Sequence, residues 1–225
     1  MQPSLAASAL DDATLGQRVA QNDHAAFELL MRRYNGRLFR VARAILKDDA
    51  SAEDALQDGY LEAYLHIGEF RGDAQLSTWL TRIVVNRALM KLRKEKRHGN
   101  VVPMSGRSET DGAPVDVADP KAESPGDAAF RAEVRRLLER RIDELPLAFR
   151  AVFVMREVED MTVQETAACL SIPEATVRSR LFRARGLLRE SLARDLDMAS
   201  ADAFAFAGAR CDRIVAVVLA ALPKP

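Results

Sequence analysis

The chain has 225 residues, 48% of them hydrophobic, which suits one or two domains with buried cores and excludes a disordered polypeptide. Lys+Arg and Asp+Glu both number 33, so the net charge is zero, and any attraction to a charged partner must come from how the charge is distributed. Two cysteines, Cys169 and Cys211, and three scattered histidines exclude a disulfide framework and a Cys/His zinc site.

The N-terminus, MQPSLAASALDDATL, has neither the basic start nor the apolar core of a signal peptide. Up to His98 the sequence reads as consecutive amphipathic helices. Phe27, Leu30, Met31, Tyr34, Leu38, Ala42 and Ile45 keep one helical spacing, with Asp23 as the expected N-cap. A second helix is expected from Ser51, where Ser51 and Asp54 resemble a capping box, burying Ala52, Ala55, Leu56, Ala63 and Tyr64. Gly68 and Gly72 bracket a loop, FRGDAQL. Ser77 is the expected cap of a third helix that carries Trp79, Leu80, Ile83, Val84 and Ala88.

That third helix runs into a basic segment, Arg82 to Arg97, opposed only by Glu95. Arg82, Asn86, Lys91, Arg93, Lys94, Lys96 and Arg97 form either a solvated face or a phosphate-attracting one. Phe70 and Trp79 flank the loop that enters the helix. Aromatics beside cations can stack on unpaired bases, although such rings are more often core.

Residues 99–127 are rich in Pro, Gly, Ser and Asp and hold no sustained period, which marks a flexible linker. About 28 residues of such chain span roughly 30 Å on average and around 90 Å when fully extended. Helical spacing returns with Phe130, Val134, Leu137, Leu138 and Ile142. Pro146 then sits where a new helix can open ahead of Phe149, Val152 and Phe153.

The segment MTVQETAACLSIPEATVRSRLFRARGLLRE carries the most information. Thr162 and Glu165 form a capping box, opening a short helix with Val163, Ala167 and Leu170 inward. Ser171-Ile172-Pro173 makes a tight turn. In the next helix Val177, Leu181, Ala184 and Leu188 face inward, while Thr176, Ser179, Arg180 and Arg183 face out. A helix-turn-helix presents such a set to a DNA major groove, where Arg donates twice to guanine and Ser or Thr reaches phosphates or base edges. An ordinary helical hairpin with a basic face is the plainer reading. The short first helix, tight turn and Arg-rich second helix favour DNA.

These residues resemble the extracytoplasmic-function group of bacterial RNA polymerase sigma factors. In the first domain the resemblance rests on Asp54, Gln57 and Asp58 in SAEDALQDGYLEAY, then Phe70-Arg71-Gly72, Ser77-Thr78-Trp79-Leu80, Arg82-Ile83 and Asn86. In the second it rests on Leu145-Pro146, Phe149-Arg150, Glu165, Ala167, Leu170, Pro173, Thr176-Val177, Ser179-Arg180-Leu181 and Arg183-Ala184-Arg185. It spans roughly residues 12–192, and Ser171 departs from the Gly often found in the turn, which implies slight strain there.

The resemblance implies an all-α protein of two small helical domains joined by the linker. Residues 1–98 would bind the polymerase clamp through Asp54, Gln57 and Asp58, and melt the −10 element with Phe70, Arg71, Gly72, Arg82 and Asn86. Residues 128–196 would read the −35 element through Thr176, Ser179, Arg180 and Arg183. Residues 197–225 form an extension of unassigned role, in which Ile214, Val218 and Leu222 share a helix face that is expected to dock somewhere.

The implied partners are core RNA polymerase and promoter DNA, with room for an anti-sigma factor. No cofactor, metal, catalytic residue or membrane insertion is expected, since the longest apolar run, Ile214 to Leu222, is too short to span a bilayer. The expected location is the cytoplasm. The two promoter elements lie on the order of 25 base pairs apart, about 85 Å at 3.4 Å per pair, a separation the linker would not hold without polymerase. The competing functions are a stand-alone helix-turn-helix regulator and a helical adaptor that does not bind DNA.

Overall fold

The protein is described by a computed structural model covering residues 10–70, 72, 74–98, 125–203 and 208–221, and all regular structure among these residues is helical. Four helices come first: α1 (Asp12–Ala20), α2 (His24–Leu46), α3 (Asp49–His66) and α4 (Leu76–His98). The expected linker lies outside the described residues except at its end, where α5 (Pro125–Glu144) opens on a proline whose fixed φ suits a first helical turn. Next come α6 (Leu147–Phe153), a π turn (Val154–Val158), α7 (Val163–Leu170), α8 (Glu174–Ala203) and α9 (Gly208–Ala221).

Aspartates start the first three helices, each accepting a backbone N–H three residues on: Asp11 from Thr14 (2.7 Å), Asp23 from Ala26 (3.0 Å) and Asp48 from Ser51 (2.7 Å). Asp23 caps α2 as its spacing predicts. Ser51 does not cap α3, because Asp48 takes the Ser51 N–H and the helix begins at Asp49. Ser77 is likewise inside α4 rather than at its cap. The helix starts at Leu76, Ser77 is buried, and the Thr78 and Trp79 N–H groups bond the Gln75 carbonyl.

The first core unites α1 to α4 around Leu15, Leu30, Leu38, Leu80 and Val84, all at most 1% exposed. Each such burial contributes about 1.5–3 kcal/mol. Small residues on one face of α3, namely Ala52, Ala55, Gly59 and Ala63, bring it close to its neighbours. A Cβ on Gly59 would lie 2.8 Å from Val84 Cγ2, so the α3–α4 approach requires a residue without one.

Helices α2 and α4 each bury a second face. Val41, Ile45, Leu46, Val85 and Ala88, with Ala55 of α3, join Ala151, Met155, Met161 and Cys169 in a second core. The two expected domains therefore pack directly on one another, and residues 1–185 cluster as one compact unit. The buried Arg150 guanidinium crosses the junction. Its Nε donates to the Ala44 carbonyl and Nη2 to Ile45 (3.3 Å), while Nη1 reaches Leu145 (2.9 Å) and Asp143 (3.1 Å).

Residues 186–225 form the second unit. The stripe expected to dock is largely open in it: Ile214 is 51% and Val218 53% exposed, and Leu222 lies outside the described residues. Among the described residues no helix is long and apolar enough to cross a membrane.

Replacing Gly59 by Val forces a branched side chain onto Val84 in a packed core. Overpacking of this kind costs about 1–3 kcal/mol, which exceeds the few tenths of a kcal/mol of helix propensity that valine gains over glycine. Urea unfolding of Gly59→Val should show a free energy of unfolding lowered by that amount, seen as a lower midpoint with an unchanged slope.

Candidate nucleic-acid interface

The helix-turn-helix is built as its spacing predicts. Thr162 and Glu165 make a full capping box: the Glu165 N–H donates to Thr162 Oγ1 (3.1 Å), and the Thr162 N–H donates to Glu165 Oε2 (2.7 Å). Val163, Ala167 and Leu170 pack against Val152, Val177 and Leu181. Ser171 ends α7 in the left-handed region at φ 52°, ψ 47°, so the strain implied by a missing glycine is present in the backbone.

On α8, Val177, Leu181, Ala184 and Leu188 are buried. Ser179 and Arg183 are exposed and Thr176 and Arg180 half-buried, which gathers the four polar residues along one solvent-facing side. The Ser179 hydroxyl bonds the Thr176 carbonyl at 3.1 Å. Phe182 stands among them at 80% exposure. An aromatic at an outward position signals it in the sequence, yet the outward set above is wholly polar and omits it.

In the first domain Phe70 and Trp79 pack ring to ring with centroids 5.5 Å apart. Both lean on the first core and both line a cleft of about 230 Å³ together with Thr78 and Arg82. Asn86 lies one turn beyond Arg82 on the exposed side of α4 and does not line the cleft. Gly72 takes φ +77°, a conformation that favours glycine, and Arg71 lies outside the described residues.

Asp54, Gln57 and Asp58 are exposed on α3 and border a larger cleft of about 1060 Å³, whose other wall is the basic stretch of α4. Lys91 Nζ reaches Asp54 Oδ2 at 2.7 Å across it. Leu61 and Leu65, 66% and 78% exposed, continue the same face of α3. Their helical spacing from Asp54 and Asp58 is the signal in the sequence, and apolar residues on an acidic face are read too readily as core.

The second wall of the Phe70–Trp79 cleft is Ala168 of α7. Just beside it Thr78 Oγ1 donates to Glu165 Oε1 at 2.6 Å, and Cys169 Sγ lies 3.5 Å from the Thr78 carbonyl. Burial works against ionisation of Glu165, but the bonds from Thr78 and Thr162 outweigh it and hold its carboxyl below the ordinary value. Burial pushes the Cys169 thiol up to about 12, so it is protonated and unreactive at neutral pH.

The Sigma-70 region 2 profile matches residues 30–98, and the Sigma-70 region 4 profile matches residues 135–188. The sequence is 36% identical over 181 residues to the ECF RNA polymerase sigma factor SigM of Mycobacterium tuberculosis, covering 80% of this chain and 84% of that one. The chain belongs to the extracytoplasmic-function group of RNA polymerase sigma factors. It is 32% identical to the sigma-H factor of Pseudomonas aeruginosa (80% of this chain, 93% of the relative). It is 33% identical to the sigma-E factor of Escherichia coli (78% and 91%).

Two solved structures share the sigma-factor fold. CnrH, in complex with the cytosolic domain of CnrY, gives a TM-score of 0.57 at 24% identity, covering 82% of this chain and 98% of that one. RpoE of Bartonella quintana, in complex with the anti-sigma factor NepR, gives 0.56 at 20%, covering 74% and 96%. This sigma factor is therefore a transcription-initiation protein rather than an enzyme, and it binds core RNA polymerase and promoter DNA.

Because Ser171 holds a conformation that costs a side-chain-bearing residue roughly 1–2 kcal/mol, glycine relieves more than it loses in unfolded-state entropy. Ser171→Gly should raise the unfolding free energy by about 0.5–1 kcal/mol, read by urea denaturation, whereas Ser171→Val should lower it.

Proposed function

We propose that this sigma factor divides its work between residues 1–98, which grip the polymerase clamp and open the −10 element, and residues 128–196, which read the −35 element, with 99–127 as the connecting segment. The observation that carries the reading is the grouping of Phe70, Trp79 and Arg82 around one cleft on a helix that continues through Asn86 into a basic run. An unpaired base needs an aromatic wall to stack on and positive charge for its phosphates; Phe70 and Trp79 line the cleft, and Arg82 begins the basic run that leads from it.

Phe70, Arg71, Gly72, Arg82 and Asn86 form the −10 set. Asp54, Gln57 and Asp58 form the polymerase set, to which the exposed Leu61 and Leu65 add apolar contact. Polar and apolar groups interleaved on one helix face suit a stable protein partner better than water alone. Thr176, Ser179, Arg180 and Arg183 form the −35 set, supported by their shared outward side of α8. The protein acts in the cytoplasm, where polymerase and promoter are. One structural neighbour was solved with a bound anti-sigma factor, NepR, and by analogy an anti-sigma factor is a third partner of this chain.

Arg180→Ala/Arg183→Ala tests the −35 set. Each base-reading arginine contributes about 1–3 kcal/mol, so run-off transcription with core polymerase on the chain's own upstream region should fall roughly five- to 150-fold per lost contact. Unchanged promoter-directed transcription would remove both residues from the set. Asn86→Ala tests melting: the variant should bind core polymerase normally, open duplex promoters poorly, and recover in part on a pre-melted bubble. Equal loss on both templates would assign Asn86 to folding.

A further inference from the structure

Resting on the polymerase assignment of Asp54 above, we propose that Lys91 is a shared cation: in the free chain its ammonium neutralises Asp54, and when polymerase takes that carboxylate the charge passes to a phosphate of the promoter strand. The pair spans the cleft between α3 and α4, where the helices run antiparallel and bond one another in a ladder. Ser51 Oγ donates to Glu95 Oε1 (3.2 Å), Lys91 Nζ to Asp54 Oδ2 (2.7 Å) and Arg87 Nε to Glu62 Oε2 (2.5 Å). Only the Lys91 rung takes its acid from the polymerase set. A carboxylate that already holds an ammonium attracts an incoming donor less, so Asp54 presents its full charge only once Lys91 has left it.

The departing ammonium needs another anion. The Lys91 side chain is only 24% exposed, and a cation left unpaired at that depth costs more than one in open water. The other carboxylates near it are engaged. Asp48 caps α3 by accepting from the Ser51 N–H, Glu95 accepts from the Ser51 hydroxyl, and Asp58 belongs to the polymerase set. The open side of the cleft remains, where Arg93, Lys94 and Arg97 line the same wall and make no hydrogen bond among the described residues. A phosphodiester drawn to these three meets the Lys91 ammonium on its flexible stem as a further partner, on the helix that carries Arg82 and Asn86 of the −10 set. Exchange of one anion for the other makes the two bindings cooperative and reciprocal, and the exposure of the pair sets the size at about two- to fivefold.

The test uses the full chain carrying fluorescein on the exposed Cys211, Cys169 being buried. Anisotropy reports binding to core polymerase without DNA. Lys91→Met should tighten that binding about two- to fivefold. In an Asp54→Asn background, which binds polymerase more weakly, the same change should bring no gain. Lys94→Met removes an equal charge from the same wall, makes no bond to Asp54, and controls for net charge. With polymerase present, the log–log salt slope of promoter binding should fall for Lys91→Met by about 0.7–0.9, the share of one phosphate.

Far-ultraviolet circular dichroism identifies a variant that fails to fold, and Lys91→Gln then carries the comparison. No gain with Lys91→Met overturns the masking of Asp54, as does a gain that persists in Asp54→Asn or is matched by Lys94→Met. An unchanged salt slope overturns the transfer to DNA. Asp54→Asn that binds polymerase as tightly as the wild type removes Asp54 from the polymerase set and the shared cation with it, while run-off transcription by the wild type continues to support the sigma reading. Failure of the wild type to direct core polymerase at all overturns that reading as well.

Discussion

A helix leaves its last carbonyls without intrahelical partners, and a helix end buried in a core must find donors for them elsewhere. At the end of α2 the Lys47 N–H, in a left-handed turn at φ 64°, serves only the Arg43 carbonyl. The Ala44 and Ile45 carbonyls are served from another domain by Arg150, at 2% exposure, which also binds the carbonyls at the α5–α6 corner. Arginine suits the position because its planar fork carries five donors and keeps its charge even where burial lowers its proton affinity. The second core exists in this form because one side chain satisfies both of the backbone corners it covers.

The two-domain helical character and the helix-turn-helix were legible in the sequence because each rests on local signals. Thr162 and Glu165 sit three residues apart, Pro173 can only open a helix, and the apolar residues of α8 keep one period. Two helix starts were misread for an equally local reason. Near Ser51 and Ser77 more than one residue can act at the helix start, and the spacing does not say which oxygen meets which N–H; Asp48 and the Gln75 carbonyl do so.

The packing of one domain on the other was not legible. Ile45 of α2 reads as one more member of the stripe that holds Leu30 and Leu38, and its spacing does not set it apart as facing a second domain. Periodicity reports that a position is buried and is silent about its neighbour. Only spatial proximity separates the α2 residues that meet α3 from those that meet α6. The same silence hid Leu61 and Leu65, which hold helical spacing like any core residue but stand in solvent.

The two oxygens of Glu165 are committed to different tasks. Oε2 accepts from the Thr162 backbone and hydroxyl and starts α7, while Oε1 accepts from Thr78 in α4. Position 165 is thus pinned by its own helix whether or not the domains touch, and change there damages folding before it tunes the junction. Position 78 carries no such local duty for α7. Among related chains, variation in how firmly the domains adhere should therefore accumulate at residue 78, as gain or loss of a donor, against an unchanging acidic residue at 165.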